Sequence, residues 1–121
     1  MKRQSPTAES PYHANPLLPE AVAAYLAAAN ARESDLAATF FAPDSVVHDE
    51  GGEHVGTLAV RAWIEETGRK YEPLAEVLHV EVADDRTLVT CAVSGNFPGS
   101  PIELTYAFAL RDDKIVALSI Q

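Results

Sequence analysis

Ile102-Glu103-Leu104-Thr105-Tyr106-Ala107-Phe108-Ala109-Leu110 sets a large apolar side chain at every second position. That is the two-residue period of a β-strand with one face toward a core. Working outward, Asp112-Asp113 turns the chain, and Ile115 to Ile120 forms a closing strand. On the other side, Gly95 to Pro101 is a Gly- and Pro-rich hairpin connection, with Phe97 pinned at a pocket mouth or an interface. Thr87 to Ser94 precedes it as a strand, Asp84-Asp85 is a turn, and Val77 to Val82 is a further strand. The C-terminal half therefore reads as an antiparallel meander.

The N-terminal half carries a different period. Pro19 suits the first turn of a helix, where its missing N–H costs nothing. Val22, Tyr25, Leu26 and Ala29 follow at i, i+3, i+4 and i+7, among alanines that favour helix. Ser34 is expected to cap a second, short helix with Leu36 and Phe40 one turn apart, ended by Pro43. Ser45 to Asp49 is a short β-branched strand, and Gly51, Gly52 and Gly56 loosen the segment after it. Thr57 then caps a third helix whose stripe is Val60, Trp63, Ile64 and Thr67, with Gly68 placed to terminate it. Helices followed by a meander make an α+β fold. Residues 1–18, interrupted by Pro6, Pro11 and Pro16, read as a flexible N-terminal arm ahead of one domain, 19–121. In the long strand Ala107 and Ala109 make the second face mild rather than charged, so a partner subunit is expected to cover it in a homodimer.

Composition narrows the function classes. The chain has 121 residues, 47% of them apolar, and a formal net charge of −9. That balance repels nucleic-acid phosphates and anionic membrane surfaces, so neither is an expected partner. No apolar run reaches the length of a membrane span, and no apolar stretch follows Lys2-Arg3 as in a secretory signal. A cytoplasmic location is the expectation. The lone Cys91 excludes an internal disulfide and reads as a small buried hydrophobe.

Three strings, in order, carry a resemblance: Ala24-Tyr25-Leu26-Ala27-Ala28-Ala29-Asn30, Phe41-Ala42-Pro43-Asp44-Ser45-Val46-Val47, and Val55-Gly56-Thr57-Leu58-Ala59-Val60. Over roughly residues 19–121 the chain resembles the nuclear transport factor 2-like superfamily, in its SnoaL-like and ketosteroid-isomerase-like branch. The resemblance implies a cone: a strongly curved antiparallel sheet wrapped around three N-terminal helices and open to a pocket. The superfamily holds enzymes and non-enzymes, so the fold does not itself give the function.

Asp49 is the first candidate for chemistry. Strand alternation points it with Val47 and away from His48, so a core-facing Val47 puts the carboxyl in an apolar pocket. The resemblance implies that an aspartate at this place shuttles a proton between carbons. Tyr25 lies on the apolar face of the first helix, where the resembled isomerases carry an oxyanion-hole tyrosine. Tyr106 falls near their second oxyanion donor, which is an aspartic acid in the family, so this chain departs from the pattern there. Val47, Trp63, Phe41, Leu104 and Phe108 are expected to shape the substrate pocket.

His48, Asp49, Glu50, Glu53 and His54 crowd into seven residues, yet alternation splits them and no metal-ligand spacing is present, so no metal is expected. The orientation of His79 stays open. Gly95 to Pro101 lacks the lysine and helix of a phosphate loop. No cofactor is expected. The expected ligand is a small hydrophobic molecule. The expected activity is a cofactor-independent isomerase or polyketide-cyclase-like reaction, with Asp49 as general base and Tyr25, aided by Tyr106, as oxyanion donor. The alternatives are a non-catalytic ligand-binding or dimerising scaffold, and a protein-binding sheet face like that of the transport factors.

Overall fold

The computed structural model describes residues 17–121, so residues 1–16 of the expected arm lie outside the described residues. Leu18, assigned to the arm from sequence, is buried in the core. Helix α1 (Glu20–Asn30) starts where Pro19 holds an extended ψ, and the Pro19 carbonyl accepts the first helical bond from Ala23 at 3.0 Å. Its buried face includes Val22, Tyr25 and Leu26, as the 3.6-residue period requires. Helix α2 (Ser34–Ala38) buries Ala37 and Ala38 instead of the expected Leu36 and Phe40 pair. It is too short to bring those two onto one face; Leu36 is exposed, and Phe40 lies beyond its end.

Strand β1 (Phe41–Asp49) begins four residues earlier than Ser45. Pro43 is tolerated because a register shift between Phe41 and Val46 takes it out of the ladder. Strand β2 (Gly52–Val55), unexpected from its glycines, forms a hairpin with β1. Glu50 and Gly51, with φ of 55° and 75°, make the two-residue turn between the paired Asp49 and Gly52. Helix α3 (Thr57–Tyr71) is preceded by Gly56 rather than capped by Thr57. It runs through Gly68 and stops at Glu72, whose φ is 48°. Val60, Trp63 and Ile64 form its buried stripe.

Strands β3 (Leu74–Ala83), β4 (Arg86–Ser94), β5 (Ile102–Arg111) and β6 (Lys114–Ile120) are the meander. The six strands lie in the order β2-β1-β6-β5-β4-β3. Neighbours pair antiparallel except β1 and β6, which run parallel with Val47 opposite Leu118. The β1–β6 pair is the one departure from the antiparallel pairing of the curved sheet expected from sequence. The β1–β2 hairpin joins the meander through α3, and a connection that long imposes no reversal. Register shifts in β1, β3 and β6 sharpen the curvature of the open sheet around the helices.

In β5, Tyr106 and Phe108 are buried while Glu103 and Thr105 are exposed, the alternation read from the sequence. Phe108, Leu26, Ile115, Leu118, Val22 and Val47 are the largest fully buried side chains. Asn30 ties the end of α1 to the edge strand: its amide donates to the Ala75 carbonyl at 3.0 Å and accepts from the Ala75 N–H at 2.9 Å. Among the described residues, no helix is long and apolar enough to cross a membrane.

Candidate active site

Four elements converge on one cavity of about 930 Å³. Tyr25 reaches it from α1, Asp49 from the end of β1, Trp63 from α3 and Tyr106 from β5. Asp49 is half-buried and shares the inward side of β1 with Val47 and Ser45. The Trp63 indole Nε1 donates to Asp49 Oδ2 at 3.0 Å. Burial raises the Asp49 pKa above the usual carboxylate range; the Trp63 hydrogen bond opposes this, and the neighbouring Glu50 charge adds to the rise. A carboxyl raised in this way is a better-matched base near neutral pH.

Tyr25 is almost fully buried. Its ring meets Phe41 edge-on at 5.1 Å and Phe108 at 6.1 Å, and Phe108 stacks on Tyr106 at 6.1 Å. Burial first, then Tyr106 and Asp49, push the Tyr25 phenol well above its ordinary value. It therefore stays protonated and able to donate throughout the neutral range.

Of the other residues expected around a pocket, Trp63 and Leu104 line the cavity. Phe41, Val47 and Phe108 do not; they belong to the core, and the two phenylalanines hold the Tyr25 ring in place. Phe97 lines the cavity and packs edge-on against Tyr71 at 6.2 Å. The β4–β5 connection is docked there because the Asn96 N–H donates to the Tyr71 carbonyl at 2.6 Å.

His48 and His79 are exposed and stand 3.7 Å from Glu53 and Glu81 respectively. Among the described residues, no three His, Cys, Asp or Glu side chains are grouped to hold a metal. Cys91 is buried, and desolvation pushes its thiol up to about 12.

Sequence reading missed the polar frame of the cavity. The Tyr71 hydroxyl donates to Glu50 Oε2 at 2.7 Å, joining the β1–β2 turn to the end of α3. Arg32 and Arg69 also lie on the wall. Tyr71 continues the Val60, Trp63, Ile64 and Thr67 stripe at i+4 but lies beyond the helix end expected at Gly68, and Glu50, Arg32 and Arg69 sit in no period or motif.

A curved open sheet around helices, enclosing a cavity on whose wall Asp49 lies with the buried Tyr25 and Tyr106, defines a nuclear transport factor 2-like α+β domain. The SnoaL-like domain family matches residues 22–118, and the chain belongs to that family. It is similar to the crystal structure of a Sinorhizobium meliloti protein provisionally named a polyketide cyclase: 41% identity, TM-score 0.82, covering 86% of this chain and 95% of that one. A Catenulispora acidiphila protein with a ketosteroid isomerase-like fold, in complex with trimethylamine, shares 20% identity at TM-score 0.74, with 85% of each chain covered. The epoxide hydrolase/cyclase-like enzyme SalBIII of salinomycin pyran-ring formation shares 20% identity at TM-score 0.72, covering 84% of this chain and 86% of that one. The last two likenesses speak to fold alone. No curated protein matches the chain.

Proposed function

We propose that this domain is a cofactor-independent isomerase or cyclase acting on a small hydrophobic carbonyl compound. The observation that carries the reading is the half-buried Asp49 carboxyl, held by Trp63 on the wall of the cavity that Tyr25 also enters. Asp49 takes the proton from the carbon next to the substrate carbonyl, and the electron pair moves onto the carbonyl oxygen. The Tyr25 hydroxyl, with Tyr106 beside it, donates to that enolate oxygen. Return of the proton to a different carbon completes an isomerisation. Attack of the enolate carbon on a second carbonyl of the same molecule completes an aldol-type cyclisation. Similarity to the Sinorhizobium meliloti protein supports the cyclase branch.

The test is proton exchange in D2O. A panel of ketones, enones and polyketide-like diketones is incubated with the protein and α-deuteration is followed by NMR. The expected result is enzyme-dependent exchange that falls by about 10²-fold or more in Asp49→Asn. Full exchange by that variant sinks the mechanism.

A second reading is a non-catalytic ligand-binding module of the same family, and the tyrosine at 106 favours it, because the resembled isomerases carry an aspartic acid there. It predicts that Asp49→Asn changes ligand affinity little and that wild-type protein gives no exchange. Either reading accommodates a homodimer through the outer sheet face. That face pairs Leu88 with Ala107 and Ala109 with Ala117, all half-buried, neutral and mostly small. A monomer by light scattering at micromolar concentration counts against the dimer.

A further inference from the structure

The cavity wall carries more charge than its chemistry uses. Three of its carboxyl groups are already engaged: Asp49 by Trp63, Glu50 by Tyr71, and Glu65 by Arg61 at 3.7 Å. Its two cations are not matched in the same way. Among the described residues, neither Arg32 nor Arg69 lies within ion-pairing distance of any carboxylate, the Glu72 carboxylate on the same wall included. This is unexpected by composition, because the chain has 18 Asp and Glu against 9 Lys and Arg. A guanidinium in so acidic a chain has an abundance of partners to choose from.

Both arginines are exposed residues of the cavity wall. Arg32 follows α1 with a φ of 62°, and its Nη1 donates to the Ala29 carbonyl at 3.0 Å, which fixes the side chain's direction. Its Cδ lies 3.6 Å from where a Cβ on Gly68 would stand, so the side chain packs against α3 at that glycine. Arg32 and Arg69 are thus exposed on the cavity wall, while Tyr25 and Trp63 are buried and Asp49 is half-buried.

We infer that Arg32 and Arg69 bind a carboxylate at the outer end of the substrate, so that the ligand class is an apolar keto acid rather than a neutral ketone. The inference rests on the cavity being the ligand site proposed above. Planar guanidinium forks suit carboxylate oxygens, and a charge held at the mouth fixes which end of the molecule reaches Asp49. An exposed site keeps the carboxylate partly hydrated, so this end contributes orientation more than affinity.

A matched probe pair tests it: 4-(2-naphthyl)-4-oxobutanoate and its methyl ester, with binding read from the fluorescence of Trp63, the single tryptophan, which lies on the cavity wall. The acid is expected to bind about tenfold tighter than the ester at low salt. That preference shrinks as ionic strength rises. Arg32→Gln and Arg69→Gln each weaken acid binding by roughly threefold, and together they bring the affinity for the acid down to that for the ester, with circular dichroism and urea midpoints showing that the variants fold. Asp49→Asn retains the preference for the acid, so a failure of the proton-transfer mechanism is separable from a failure here. Equal binding of acid and ester by the wild type, or an acid preference that survives in the double variant, overturns the inference. If neither probe perturbs Trp63, the ligand-site reading falls and this inference falls with it.

Discussion

Trp63 and Asp49 are joined by an indole N–H donating to a carboxylate at 3.0 Å, a bond that ties α3 to the last residue of β1. The same bond stabilises the ionised carboxyl and so works against the desolvation that raises its pKa. Trp63→Phe keeps an aromatic ring and deletes the donor. The expected result is a further rise in the Asp49 pKa, measured by carbon-13 NMR titration of the carboxyl, with any acid limb of a pH–rate profile moving to higher pH in parallel. A lower pKa in the variant contradicts this account.

Burial of Asp49 also has a consequence for stability. Because its carboxyl binds a proton more tightly folded than unfolded, this group's contribution to stability is greatest below its unfolded pKa. The contribution declines as pH rises through the window up to the folded pKa and is flat above it. Asp49→Asn keeps a carbonyl acceptor for Trp63 and removes the charge. Its Tm is therefore expected to exceed the wild-type value at about pH 7, with the advantage shrinking toward about pH 4. A variant less stable than wild type at neutral pH runs against the prediction.

Cys91 is fully buried in β4, with its thiol pushed up to about 12. The thiolate is the nucleophile, so the native protein is expected to resist thiol reagents at about pH 8 and to react promptly once unfolded. Stoichiometric labelling of the folded chain within minutes is the contrary outcome.

Gly95 leaves no room for a side chain. A Cβ there would stand 2.6 Å from the Tyr71 carbonyl oxygen and 3.2 Å from the Pro73 Cα, both backbone atoms. Gly95→Ala is expected to cost about 1–3 kcal/mol in denaturant melts and to weaken ligand binding, since the β4–β5 connection carries Phe97 to the cavity. Wild-type stability and affinity in this variant would mean that the connection can shift freely.

Ser45 is fully buried, and its Oγ has no hydrogen-bond partner among the described residues. An unpaired buried hydroxyl is costly, so Ser45→Ala is expected to stabilise the fold by about 1 kcal/mol. Destabilisation of that size in a urea melt would indicate that the hydroxyl is satisfied in solution.

Sequence alone determined the features that depend on near neighbours. The faces of α1 and α3 and the alternation of β5 come from periods of 3.6 and 2, which act over a few residues of one segment. The inward direction shared by Val47 and Asp49 comes from the same pleat. Tertiary structure decided everything that required two distant segments to meet. Strand β2 is rich in neither β-branched nor aromatic residues and exists because β1 pairs with it across the Glu50-Gly51 turn. The parallel pairing of β1 with β6 depends on a long connection whose path no local pattern encodes. The bond between Trp63 and Asp49 likewise needed a helix and a strand packed together. So did the placing of Arg32 and Arg69 on one cavity wall, since side-chain direction is a local property and the meeting of separate elements is not.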